Sequence, residues 1–312
     1  MGILFGPVFS RRLGISLGLD IVKAGHCSYD CLYCEAGKTQ FKTIEPSGCA
    51  TAKEVIDNLS IYLSHHKGKI DYLTLSGTGE PTLNPYIGEI IKKIKKKFKI
   101  PLCLLTNSSM LSDHDLVSAI APCDIIMPSL DAVSDKIFHQ INRPHPGVYI
   151  ELILIGLKKL IQIAKGKVII EIMLVKGIND NHEELAKLSE TILKLQPHGV
   201  VLNTVYRPPA TQVQGLDENR LHEIGETYFK NFLYKFEEKT LDYNELPEYY
   251  SNDIKFKKMI NIRSATLEEL AIMLRKSKNE AYSYIQELSS SDNRYYISEH
   301  NGIIRLHYDF EK

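Results

Sequence analysis

The 312-residue sequence predicts an α/β fold built on a parallel sheet, followed by a small helix-and-hairpin module. Two observations predict this. Apolar runs of strand length alternate six times with helical patterns, as parallel strands joined by crossover helices do. Beyond residue 262 the alternation stops, and two helical patterns lead into two short β patterns.

The six strand segments fall at Gly18–Ala24, Ile70–Ser76, Pro101–Thr106, Asp124–Ser129, Val168–Val175 and Gly199–Val205. Helical patterns lie between and after them, at Ala52–Ser64, Asn84–Lys99, Ser112–Ile120, Gly147–Ala164, Asn181–Leu195 and Glu218–Glu238. In the second of these, which ends in "IIKKIKKKFK", the residues Ile87, Ile91, Ile94 and Phe98 recur at helical spacing and leave the lysines on the opposite face. A solvated outer helix explains that run better than nucleic-acid binding does. The expected organisation is a body over residues 1–240, a linker over 241–262 and a tail over 263–312.

Composition sets the outer limits. Lysine plus arginine equals aspartate plus glutamate at 38 each, so net charge speaks neither for nor against a nucleic-acid partner. The start, "MGILFGPVFSRR", lacks the apolar core of a signal peptide, and Gly6 breaks the myristoylation pattern. The richest apolar run, "KVIIEIMLVKG", is short and interrupted by Glu171. A cytoplasmic protein is expected. A reducing compartment argues against structural disulfides and turns close-set cysteines toward metal binding or chemistry.

The stretch "HCSYDCLYCEAG" sets Cys27, Cys31 and Cys34 close together. A structural zinc site needs four ligands, commonly as two separated pairs, whereas Cys49, Cys103 and Cys123 each stand alone. Three thiolates instead suit three corners of a [4Fe–4S] cube and leave one iron open, as a catalytic metal requires. The spacing favours the cluster, with zinc and chance proximity as the alternatives. Cys103 and Cys123 sit in or beside apolar strands and read as buried, inert thiols.

With Tyr33 just before the third cysteine, the pattern Cys-x3-Cys-x2-Cys closely resembles the signature of radical S-adenosylmethionine (radical SAM) enzymes. The resemblance implies a partial (βα)6 parallel-strand barrel with Cys27, Cys31 and Cys34 as cluster ligands. It also implies S-adenosylmethionine chelated at the open iron, Tyr33 beside its adenine, and an electron donor such as flavodoxin or ferredoxin. One electron then cleaves the sulfonium to a 5′-deoxyadenosyl radical that takes hydrogen from the substrate.

Further motifs fall at strand ends, where barrel sites are built. In "SGTGEPTLNP", Gly77 and Gly79 permit close backbone approach and Glu80 can accept from an ammonium group. An ordinary strand-to-helix turn reads equally well. The segment looks like the Gly-Gly-Glu-Pro element where the methionine amino group binds, with Thr78 in place of one glycine. Asn107 in "LLTNSS" and Ser129 and Asp131 in "IMPSLDA" resemble family positions near the ribose and methionyl groups, although alone Asn107 reads as a turn former and Asp131 as a helix cap. "GPVFSRRLGISLGLD", "INRPHP", "VKGIND" and "NTVYRPPA" resemble the Fe–S oxidoreductase branch related to wyosine synthases, over roughly residues 5–215. Their arginines, Arg11, Arg12, Arg143 and Arg207, suit phosphate or carboxylate recognition, or structural ion pairs. Arg12, Arg143 and Arg207 are the substrate candidates. This kinship points to an RNA base as substrate, with a peptide or a small molecule as the other classes.

The tail pairs Thr266 as helix cap with Glu269 at the capping-box position, then runs through a second helix and two strands joined by "EHNG". It resembles a winged helix-turn-helix domain. Residues 263–312 carry seven basic against eight acidic side chains, a net of −1, which suits docking to a protein or substrate better than reading DNA. The rival function class is a winged-helix regulator whose cluster senses redox state without catalysis. It would have no need of the strand-end loops at Gly77–Pro81 and Ser129–Asp131.

Overall fold

A computed structural model describes residues 3–10, 12–46, 49–66, 68–206, 209–237, 260, 265–274, 276–300 and 303–308. In chain order the body contains strands β1 (Leu4–Ser10), β2 (Gly14–Leu19), β3 (His26–Cys27), β4 (Phe41–Lys42), β5 (Tyr72–Leu75), β6 (Leu102–Thr106), β7 (Ile125–Pro128), β8 (Lys167–Leu174) and β9 (Gly199–Thr204). Its helices are α1 (Ala52–His65), α2 (Ile87–Lys97), α3 (His114–Ile120), α4 (Asp135–Ile141), α5 (Ile150–Ile163), α6 (His182–Leu195) and α7 (Glu218–Ile224).

Six strands, β2 and β5 to β9, pair in parallel and in sequential order within one seven-stranded sheet, with β1 antiparallel at its edge. This is a mixed α/β fold consistent with a partial barrel. Sequential parallel order requires each connection to cross over on the same side, so the helices collect on one face and the sheet can curl away from them. Both faces are filled. Leu73, Leu104, Ile126, Val168 and Ile170 pack with buried residues of α1, α2, α3 and α5. On the opposite face Cys103, Ile125, Met127 and Ile169 form a separate cluster with Leu13. Strands apolar on both sides are what a parallel sheet covered on both faces needs.

The strand expected at Gly18–Ala24 lies earlier, at Gly14–Leu19. Ser16, Leu17, Gly18 and Leu19 carry its pairing to β5, and the chain leaves the sheet at Asp20 to begin the cysteine loop. The strand that precedes it was hidden because a register irregularity at Phe5–Val8 breaks the period-two pattern. Gly18 is required there, because a Cβ would stand 2.1 Å from the Phe5 ring packed over it.

The outer helices follow the expected logic. Thr51 and Glu54 close a capping box at the start of α1. In α2, Ile87, Ile91 and Ile94 are buried while Lys92, Lys93, Lys95 and Lys96 are exposed. The helix expected at Glu218–Glu238 is shorter, passing after Ile224 into a single π-turn at Gly225–Phe229. Between Asp135 and Ile141 lies α4, which had not been anticipated. Among the described residues no helix is long and apolar enough to cross a membrane.

The tail runs β10 (Ala265–Thr266), α8 (Leu267–Leu274), α9 (Lys278–Ser291), β11 (Tyr295–His300) and β12 (Ile303–Tyr308); the two helices and the two strands after them come in the predicted order, whereas β10, paired to β12, is an addition. Thr266 and Glu269 exchange the two hydrogen bonds of a capping box. His300 pairs with Ile303, so the strands flank Asn301–Gly302, and that turn itself lies outside the described residues, as does almost all of the linker over 241–262. Val8 of β1 and Ile260 are buried in the same cluster as Leu270, Ile285, Leu288 and Leu306, so the tail's core is completed from the body's edge strand.

Candidate functional site

Each sequence-predicted site residue that is described, apart from Arg12 and Arg143, lies at or beyond the C-terminal end of a parallel strand. The chain leaves β2 at Asp20 and enters a long loop that carries Cys27, Cys31 and Cys34, all half-buried. The loop closes on itself through the short parallel pair β3 and β4, and through Thr39, which bonds Asp30 Oδ1 and the Tyr29 carbonyl. The end of α4 clamps it from outside. Asp30 N donates to Asn142 O (3.1 Å), Leu32 N to Ile141 O (3.0 Å), and His145 N to Ser28 O (2.8 Å).

Burial governs the thiols. It pushes Cys27 up to about 12, Cys34 up to about 11, and Cys31 well above its ordinary value. Thiolates at these positions therefore need a positive partner to replace their protons. Carboxamides point at two of the sulfurs: Asn107 Nδ2 lies 3.4 Å from Cys27 Sγ, and Asn142 Nδ2 lies 3.5 Å from Cys31 Sγ. Such donors suit a sulfur that gains negative charge. Among the described residues no three Cys, His, Asp or Glu side chains converge on one ion-sized point. A mononuclear zinc site would need that convergence, whereas a cluster takes its thiolates on different irons.

The turn after β5 is stitched to this loop. Glu80 N donates to His26 O (3.1 Å) and Gly25 N to Thr78 O (3.2 Å). Both glycines are there for space: a Cβ on Gly79 would meet His26 O at 2.3 Å, and one on Gly77 would meet the Asp20 carboxylate at 2.2 Å. Thr78 donates to Asp20 Oδ2 through its amide and its hydroxyl. The other Asp20 oxygen is buried near the Val22 amide without a well-formed bond, and burial raises this carboxyl above its ordinary value.

Glu80 is buried and caps the 3-10 turn Pro81–Leu83. Its Oε1 accepts from Thr82 N (3.0 Å), Thr82 Oγ1 (2.6 Å) and Thr106 Oγ1 (2.6 Å), and its Oε2 from Asn107 N (2.7 Å). Burial raises its carboxyl and these bonds oppose the rise. This carboxylate braces the ends of β5 and β6 against each other.

Asp131 caps no helix, since α4 begins after Ser134. Its Oδ2 accepts from Tyr33 Oη and from Asn142 Nδ2 (2.7 Å), and its Oδ1 from Met173 N (2.9 Å). Burial pushes it up to about 6, against those three bonds. Ser129 donates through its amide to Thr106 O (2.9 Å), and its carbonyl accepts from Ser108 Oγ (2.7 Å). Tyr29, Asn107, Ser129, Asp131 and Asn142 line a small, partly open cleft.

The arginines are less united. Arg12 pairs with Glu171 of β8 at 2.5 Å, from the turn between β1 and β2. Arg143 faces Asp30 at 3.7 Å. Both take the ion-pair reading in this structure, and Arg11 and Arg207 lie outside the described residues. Sequence reasoning missed Asp20 and Asn142. Each lay inside a quoted motif, "LGLD" and "INRPHP", and neither type stands out as a ligand.

Comparison with known proteins adds the following. The family profile described as Radical SAM superfamily matches residues 21–189. The chain is 36% identical over 211 residues to a UPF0026 protein of Methanocaldococcus jannaschii, covering 67% of this chain and 65% of that protein. It is 35% identical over 222 residues to a UPF0026 protein of Helicobacter pylori, covering 70% and 71%. In fold it is similar to Streptococcus suis SuiB bound to precursor peptide SuiA, with 16% identity, a TM-score of 0.53, and coverage of 72% of this chain and 47% of that one. The match to SuiB therefore spans about half of that chain, and the match to the Methanocaldococcus relative just under two thirds of it.

Proposed function

The chain belongs to the radical SAM superfamily, whose members are enzymes, and from that premise we propose an enzyme that takes a hydrogen atom from its substrate. Its cofactors are a [4Fe–4S] cluster and S-adenosylmethionine, those of its family. In our reading Cys27, Cys31 and Cys34 hold the cluster, each losing a proton to do so. When bound, the reduced cluster supplies the electron that cleaves S-adenosylmethionine to the 5′-deoxyadenosyl radical. An external donor such as flavodoxin or ferredoxin supplies that electron.

The remaining strand-end residues bind and orient S-adenosylmethionine. Gly77 and Gly79 let this turn pack directly against Asp20 and His26, and in our reading the backbone carbonyls of the turn meet the ammonium group. Tyr33, Asn107, Ser129 and Asp131 face the cleft or its rim. Glu80 contributes from behind, by fixing the Asn107 amide. One observation carries this reading. The three-thiol loop and the strand-end carboxylates and amides are hydrogen-bonded to each other along a single edge of the parallel sheet.

We favour an RNA base as the substrate, on the motifs resembling the wyosine-synthase branch. SuiB, solved with a peptide, supports the peptide alternative by fold alone. We assign residues 1–240 to the catalytic body and 263–312 to a winged-helix docking module in a cytoplasmic protein. Ile260, inside the proposed linker, packs with that module. The regulator reading is not favoured, because it gives the Gly77–Pro81 and Ser129–Asp131 loops no task.

The test is anaerobic reconstitution followed by reaction with S-adenosylmethionine and dithionite. Formation of 5′-deoxyadenosine, abolished in the Cys27→Ala, Cys31→Ala, Cys34→Ala triple variant, is expected. A cluster that loads but never cleaves S-adenosylmethionine would return the regulator to first place.

A further inference from the structure

Asn142 is given no task of its own in the reading above, yet it is 2% exposed and touches both halves of the site. A carboxamide nitrogen carries two hydrogens. Here one goes to Cys31 Sγ at 3.5 Å and the other to Asp131 Oδ2 at 2.7 Å. The opposite amide orientation would set its oxygen against a carboxylate oxygen, so the donor assignment follows from chemistry. The backbone cannot swing away. Asn142 N donates to Phe138 O (2.9 Å) at the end of α4, while Asn142 O accepts from Asp30 N (3.1 Å) in the cysteine loop. Asp131 is itself held by Tyr33 and by the Met173 amide, so the acceptor that fixes the carboxamide is fixed in turn.

The three thiols differ in what surrounds them. Cys27 has the Tyr29 amide besides Asn107, and Cys34 has the Ala36 amide. At Cys31 the partners are two side chains, the Asn142 carboxamide, which is the N–H donor, and the Tyr33 hydroxyl. A hydrogen bond to a cluster ligand sulfur stabilises the reduced, more negative state over the oxidised one, and so raises the reduction potential.

Resting on the proposal that Cys27, Cys31 and Cys34 hold the cluster, we infer that Asn142 is a positioning residue that sets the cluster's reduction potential through Cys31 Sγ. Asp131 aims it. The carboxylate takes one amide hydrogen and thereby directs the other at the sulfur.

The experiment uses the full chain, reconstituted anaerobically, without S-adenosylmethionine or substrate. Wild type, Asn142→Leu, Asn142→Ala and Asn142→Gln are compared by iron content and by redox titration followed by electron paramagnetic resonance. The Leu and Ala variants should load as much iron as wild type and titrate at a more negative potential. At the wild-type midpoint their reduced-to-oxidised ratio should fall by up to about tenfold, which is about 59 mV for one electron. The Gln variant, which keeps a donor, should lie between. Loaded Leu and Ala variants with the wild-type midpoint would overturn the inference. Loss of iron from all three variants while they remain folded would also overturn it, by making Asn142 an anchor of the loop. If wild type loads no iron, or the triple cysteine variant retains it, the underlying ligand assignment fails, and that result reads differently from either of the others.

Discussion

Replacing Glu80 by Gln separates a brace from a ligand. The side chain keeps its shape, but the four donors around it no longer all find acceptors. If the amide nitrogen takes the Oε2 position it opposes the Asn107 N–H; if it takes the Oε1 position it opposes the Thr82 N–H. Either way at least one charge-assisted bond is lost within a buried group. Such a bond is worth about 1.5–3 kcal/mol. A domain of this size loses roughly 2–4 °C in Tm per kcal/mol. The expected drop is therefore about 3–12 °C in the cluster-free protein, read by thermal unfolding. Relief from burying a charge pulls the outcome toward the lower end, since burial already raises this carboxyl. S-adenosylmethionine affinity of the reconstituted variant should fall only as far as the Asn107 amide shifts. A Tm within about 2 °C of wild type, below that range, together with a large loss of binding, would refute the bracing argument and make Glu80 a direct ligand.

Reconstituted wild type should hold about four irons per chain, all lost on changing Cys27, Cys31 and Cys34 to Ala and none on changing Cys49, Cys103 and Cys123; near-doubled iron in wild type, half of it lost in the second variant, would reveal another cluster. Because burial raises the Asp20 carboxyl above 3.8, its contribution to stability is full below that value and is lost as pH rises through the higher folded one. In cluster-free protein, the Tm of wild type relative to Asp20→Asn should therefore fall as pH rises from about 4 to 7, and a difference constant with pH would contradict this. Val8→Asp places a charge in the tail's core, so limited proteolysis should release the tail faster while iron content holds; unchanged cleavage would mean that Val8 does not support the tail.

Legibility followed the range over which each signal acts. The crossover pattern was visible because burial on both faces leaves long apolar runs, and Ile87, Ile91 and Ile94 expose a helix through their spacing alone. The β1–β2 hairpin was not visible, since its irregularity at Phe5–Val8 and the packing of Phe5 on Gly18 erase the two-residue period. Short α4 carries too few turns to show a period, and its task, clamping residues 28–32, is a contact made across more than a hundred positions.

The site divides along the same line. Cysteines announce themselves because few other residues do their chemistry, so Cys27, Cys31 and Cys34 were legible from spacing. Carboxylates and carboxamides do not announce themselves, because capping, bracing and ligand binding draw on one set of atoms. Glu80 and Asp131 were both singled out, yet the first has its oxygens committed to four protein donors, while the second holds Tyr33 and Asn142 at the cleft. What separates them is the number and source of the hydrogens each accepts. That is a property of strand ends meeting in space, and it decides which carboxylate can still turn toward a bound molecule.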